Sequence, residues 1–198
     1  PVYELGFQIN RFRNYFKEIS EKLDAIPDES LADGNAVIGV ILHPKYISRS
    51  AFPEGLINQL NLRFLGSRST KIRPEKGKGS DEDDGALSTF LFLSGKRETI
   101  QALGEKISEI ENNTALAEDF LKLEKAVLPG RSQKIAGEFS ETSEPVEVVL
   151  HFDSAKDMKW EPSFIEFAEK HNIDLSMSRS YQSRGLLFIP ARGGRSEV

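Results

Sequence analysis

The sequence predicts an α+β chain: tandem ferredoxin-like βαββα repeats with an extra N-terminal helix. Three observations predict it. Apolar runs of strand length, at Ala36–Leu42 and Val146–Phe152, alternate with segments of helical periodicity. Short strings recur in the second half in the same order, each on the same predicted element. A stripe of apolar residues at helical spacing precedes the first repeat.

Taken in order, the stripe is Ile9, Phe12, Phe16, Ile19, Leu23 and Ile26, with Arg11, Arg13, Lys17, Glu18, Glu21 and Lys22 on the other faces. Pro27 is expected to end this helix, because a proline nitrogen cannot donate to the helical ladder. The helix is read as covering its own domain, with a docking helix for a partner as the alternative. Ala36–His43 reads as a strand buried on both faces. Pro53 suits the first position of a short helix carrying Leu56, Ile57 and Leu60. A second strand runs from Leu62 toward Ile72. Lys76–Gly85, with the run Asp81-Glu82-Asp83-Asp84, reads as a solvated loop rather than a cation site. Ala86–Leu93 is the third strand, and Ile100, Leu103, Ile107 and Ile110 mark a helix. Thr114 is placed to cap a further helix with Leu116, Phe120, Leu123 and Val127 on one face, stopped at Pro129-Gly130.

Arg131–Glu144 is polar and rich in Ser, Thr and Glu, and reads as a linker. Beyond it the pattern restarts: a strand at Val146–His151, a helix opened by Pro162, and strands at Ile173–Ser180 and Gly185–Pro190. The expected organisation is therefore 1–34 for the helix and its connection, 35–130 for the first repeat with its extra helix, 131–144 for the linker and 145–198 for a shortened second repeat.

Val40-Ile41-Leu42-His43 answers Val148-Val149-Leu150-His151 at an offset of 108 residues. Asn61-Leu62 answers Asn172-Ile173, and Ser67-Arg68-Ser69 answers Ser178-Arg179-Ser180, both at 111. Leu91-Phe92-Leu93 answers Leu187-Phe188-Ile189 at 96. The helix that follows the third strand near Lys96 should recur near Gly194, close to Val198. The chain is accordingly expected to be a piece of a longer protein, and its first residue, Pro1, points to a processed or incomplete N-terminus.

Composition narrows the chemistry. With 38% hydrophobic and 29% charged residues, a chain of 198 residues can bury a core. There are no cysteines, which removes disulfides, thiolate ligands and thiol catalysis and suits a cytoplasmic location. Three histidines are too few for a His-rich metal centre. No cofactor motif is present, and no apolar run reaches the ~18 residues of a membrane span. The net charge of −5 disfavours nucleic acid as a partner.

No Gly-x-Ser-x-Gly elbow accompanies the histidines. His43 and His151 both close the first strand of their copies and are read as structural groups bonded to backbone. His171 lies at a helix end, where positive charge is favourable. Arg68 and Arg179, each flanked by serines, are read as repeated strand-end ion pairs, with an anion grip as the alternative. Phe90 and Phe92 on one strand face, with Arg184-Gly185 before Phe188, give a faint RNA-binding pattern that lacks its second aromatic. No catalytic or metal-binding residue is assigned. The candidate interaction or structural residues are His43, Arg68, His151, Arg179, Phe188 and Arg192.

The block His43-Pro44-Lys45-Tyr46-Ile47-Ser48-Arg49-Ser50-Ala51-Phe52-Pro53, followed by Leu62-Arg63-Phe64-Leu65-Gly66-Ser67-Arg68 and Pro74, carries a resemblance. It resembles the region before the catalytic domain in a group of subtilisin-like (S8) serine proteases. These are encoded beside an AAA-type ATPase in bacterial modules for plasmid stability and phage defence. The likeness covers about Ala36–Pro74 and departs at the acidic loop. It implies a catalytic triad elsewhere in the parent protein, and a ferredoxin-like prodomain that packs its sheet on the protease and sends its C-terminal tail into the cleft. The expected partner is that catalytic domain. The alternative is a module that senses the ATPase or a phage component through the Ile9–Ile26 helix and the acidic loop. RNA binding is the weaker alternative.

Overall fold

A strand that is apolar on both faces needs a hydrogen-bonded neighbour along each edge and cover on each side. That requirement organises the first half of the computed structural model, which describes residues 1–28, 31, 34–77, 84–130, 143–151, 160–183 and 186–193. The chain divides into two units, Pro1–Lys134 and Ile135–Val198. In the first, β1 (Asn35–Leu42) lies antiparallel between β3 (Ala86–Lys96) and β4 (Leu123–Val127), with β2 (Arg63–Ile72) outside β3. The sheet order is β2–β3–β1–β4.

The helices α1 (Leu5–Asp24), α2 (Glu54–Gln59), α3 (Arg97–Gln101), α4 (Leu103–Lys106) and α5 (Ala115–Phe120) supply the cover. Phe12, Phe16, Ile19 and Leu23 of α1 join Leu56, Ile57, Ile100, Leu103, Ile107 and Phe120 in one core. That core rests on Ile38, Val40, Leu91, Leu93, Leu123 and Ala126 of the sheet. Strand geometry turns Val37, Gly39 and Ile41 to the other face. The α1 stripe is thus consumed inside its own unit, and the docking-helix alternative loses its apolar surface.

Two sequence expectations for this unit are corrected. The helix expected over Leu116–Val127 stops at Phe120, and Leu123–Val127 is β4. A stripe spaced by threes and fours cannot separate one long helix from a short helix plus a strand, and the open edge of β1 favours the strand. The unit is a complete βαββαβ rather than βαββα. Helix α1 ends at Asp24, capped by the Ala25 N–H on the Leu23 carbonyl, before Pro27 is reached.

The second unit has β5 (Glu144–His151), α6 (Trp160–Lys170), β6 (Asp174–Leu175), β7 (Tyr181–Ser183) and β8 (Leu186–Gly193). Its sheet runs β5–β8–β6, with β7 also paired to β8. The strand expected over Ile173–Ser180 is broken: Met177–Arg179 forms a 3₁₀ turn.

The duplication is visible in backbone geometry. The helix before the second strand ends on a left-handed asparagine in both copies, Asn61 at φ 55° and Asn172 at φ 55°. The Leu62 N–H returns to Ile57 at 3.0 Å, and the Ile173 N–H to Ala168 at 2.8 Å. The Asn61 N–H reaches Asn58 at 3.0 Å, and the Asn172 N–H reaches Glu169 at 3.1 Å. This is one Schellman C-cap built twice, at the offset of 111 read from the sequence. The offset of 96 needs revision. Val40 faces Leu91, whereas Val148 faces Ile189, so the ladders superpose Leu91 on Ile189, an offset of 98.

Candidate functional site

His43, at the end of β1, is the group best placed to do chemistry by type, and the fold commits it to structure. It is fully buried, and its backbone N–H bonds the Lys122 carbonyl at 2.9 Å. The ring Nδ1 accepts the Lys45 N–H at 3.1 Å, which caps the 3₁₀ turn Pro44–Tyr46. With Nδ1 an acceptor, Nε2 carries the proton and donates to the Lys76 carbonyl at 2.7 Å. Tyr3 and Tyr46 pack their rings edge-on against it at 5.9 and 6.0 Å. No lone pair is left for a base, and the nearby hydroxyls Ser48 and Ser50 bond each other at 3.0 Å. A histidine bonded to backbone at a strand end is what the sequence predicted here.

Around His43 lies a polar cluster that the sequence did not show. Arg11 projects from α1, and its guanidinium sits 4.3 Å from the Tyr3 ring centroid. It pairs with Glu124 of β4 at 3.3 Å and Glu75 at 3.1 Å, and it also donates to the Glu124 carbonyl. The Tyr3 hydroxyl donates to Glu124 at 2.8 Å and accepts the Lys76 N–H at 3.3 Å. The Glu75 N–H reaches the other Glu124 oxygen at 3.2 Å. Gln8 is fully buried and donates to the Leu123 carbonyl at 2.6 Å. Together these contacts tie α1 to β4 and to the segment after β2.

Burial pushes the Tyr3 hydroxyl above its usual range; the Arg11 contact opposes this, and the Glu124 carboxylate adds to it. For Arg11, burial works against the charge, but Tyr3 and Glu124 outweigh it and hold the guanidinium charged. A tyrosine whose folded pKa lies above its unfolded one stabilises the fold fully below the unfolded value. That contribution is lost as pH rises through the folded value. Denaturant titrations at pH 8 and at strongly alkaline pH should therefore show a fall in stability at the higher pH. Tyr3→Phe should shrink this fall. Tyr15 is shifted upward by burial too, so part of the fall should remain. An unchanged alkaline fall in Tyr3→Phe would remove Tyr3 from this role.

The other candidates are dispersed. Arg68 lies on β2, opposite Phe90 in the ladder, with its guanidinium 5.3 Å from the Phe90 ring and 5.7 Å from Phe92. Arg179 is in a 3₁₀ turn, so the two arginines are not equivalent. Tyr181 takes the place of Arg68, pairing with Phe188 and stacking on it at 4.8 Å. His151 closes β5 opposite Leu186, and Arg192 lies exposed on β8 opposite Pro145. The His151 side chain, the acidic residues 81–83, Arg184-Gly185, most of the linker and residues 194–198 fall outside the described residues.

The sheet face away from the helices was expected to be free to dock. Its apolar part is not bare: Ile41 is 7% exposed and Phe90 2%. Phe90 therefore cannot serve as a stacking platform for a base, whereas Phe92 and Phe188 are half-buried. Among the described residues no group of three or more His, Asp or Glu side chains could hold a metal ion. No described helix is long and apolar enough to cross a membrane.

No family model matches the chain, and no curated protein matches it. Among solved structures, one chain whose description names a glycine cleavage system transcriptional repressor covers 81% of this chain and 81% of its own length. Its identity is 16% and its TM-score 0.23, an overlap that carries no argument about this chain.

Proposed function

We propose that the chain is a non-catalytic docking domain, the N-terminal region of a subtilisin-like serine protease, which binds the protease domain and holds it inhibited while assisting its folding. The observation that supports this reading most is the state of His43. The block His43–Pro53 carries the resemblance, and its one basic side chain of catalytic type has both ring nitrogens engaged by backbone. The block builds a scaffold, as a binding domain requires. The ferredoxin-like order of the first sheet agrees with the prodomain fold that the resemblance implies. A domain that binds only the folded protease stabilises that state by mass action.

The test is inhibition of the parent's purified protease domain by this chain, added in trans at fixed substrate. Saturable inhibition is expected. Removing residues 194–198 should weaken it at least about tenfold if the tail occupies the cleft. The cut belongs there, because Pro190–Gly193 is part of β8, the strand between β5 and β6. Absence of inhibition, with tight binding to the ATPase, would replace this reading with a sensor module. Absence of both would leave neither standing.

A further inference from the structure

We infer that the outer edge of β2 is a docking site for an acidic peptide in extended conformation. The inference is independent of the protease reading. β2 is ten residues long, and among the described residues it pairs only with β3. An edge strand presents a row of backbone donors and acceptors that another strand can complete. Its charge is one-sided. Arg63, Arg68 and Lys71 lie on it and Arg73 follows, all exposed, with no carboxylate from Leu60 to Pro74. The neighbouring strand, Ala86–Lys96, has none either. The chain as a whole has a net charge of −5, so this is a local reversal.

The strip opens at its first residue onto a groove of about 510 Å³. Arg63 and Lys96 line it together with Asn58, Asn61, Ser94 and Thr99, and no carboxylate does. The second copy has a groove in the corresponding place, beside Asn172 and Ile173, which Glu169 and Asp174 line instead. Its counterpart of β2 is broken into β6, two residues long, and β7, three residues long. The duplicated scaffold has therefore diverged, and among the described residues a long cationic edge is found in copy one alone.

Three features select the occupant. Like charges on facing edges repel, so a second copy of this strand is disfavoured. A strand carrying Asp or Glu meets opposite charge on both faces of the sheet, Arg63 and Arg68 on one and Lys71 on the other. Single-stranded nucleic acid needs successive exposed rings to stack on, and here Phe64 is the exposed ring of β2 while Phe90 lies buried beneath Arg68. The polar groove at the Arg63 end then receives an acidic side chain or a terminal carboxylate of the peptide.

The probe is a fluorescein-labelled peptide of alternating Glu and Thr, titrated with the full chain at low ionic strength and followed by anisotropy. Saturable binding is expected, weakened at least about tenfold in Lys71→Glu/Arg73→Glu. Circular dichroism would confirm that this variant is folded. The same peptide N-methylated at every residue keeps its charge but has no N–H to donate to the β2 edge, and should not bind. Three results would overturn the proposal: no saturable binding, equal binding of the N-methylated peptide, or tighter binding of labelled oligothymidylate of equal charge.

Discussion

Replacing Arg11 by methionine is expected to destabilise the first unit by about 3–5 kcal/mol, the range for breaking a buried ion pair on one side. The side chains of Arg11 and Glu124 are 10% and 8% exposed, so solvent does not screen the pair as it would at a surface. Methionine fills most of the volume but leaves the Glu124 carboxylate inside with only the Tyr3 hydroxyl and the Glu75 N–H to satisfy it. It also strips the cation from the Tyr3 ring. Urea denaturation measures the loss. The exposed Arg13→Met on the same helix is the control and should change little. Adding Glu124→Gln to Arg11→Met should recover part of the loss, since the stranded charge is then gone. A loss below about 1 kcal/mol in Arg11→Met would reduce the network to a surface-like pair.

This cluster was hard to see in the sequence because its members are far apart in the chain: Tyr3 and Glu124 are separated by 121 positions. One signal was present. Gln8 continues the apolar stripe of α1, four residues before Phe12, and a polar residue in a buried stripe must find a partner. By contrast, β1 and β3 were legible because each carries a short apolar run bounded by polar or glycine-containing segments. The repeat was legible because one backbone device, the left-handed asparagine, needs the same residue in both copies. Strand β4 was not legible, since Leu123 and Val127 fit a helical stripe as well as a strand and only the open edge of β1 decides between them. The equivalence of Arg68 and Arg179 failed for a related reason. The string Ser-Arg-Ser was conserved on paper, but the second copy turns where the first extends, and Tyr181 takes the ladder position.

Substituting Gly39 by valine should cost about 3 kcal/mol or more, at the upper end of what overpacking produces. Gly39 sits mid-strand in β1, between Phe92 and Val127 in the ladders. A Cβ there would lie 2.1 Å from Cζ of Phe90 and 2.5 Å from its Cε1. The ring itself must move, and it has nowhere to go. It is 2% exposed, with Arg68 across one side and Phe92 at 4.7 Å. Gly6 is the contrast: a Cβ there meets nothing within 4 Å, so Gly6→Ala should be neutral or stabilising by up to about 1 kcal/mol in α1. The decisive comparison is Gly39→Ala with and without Phe90→Ala. If the ring is the obstacle, the two losses are strongly non-additive, because the smaller residue at 90 makes room for the new methyl group. Additive losses would mean that the strand resists the substitution for another reason. In the non-additive case the glycine is there to let Phe90 lie flat on β1. Arg68 can then rest on that ring, with its charge over Phe90 and Phe92 of β3 instead of reaching away from the sheet.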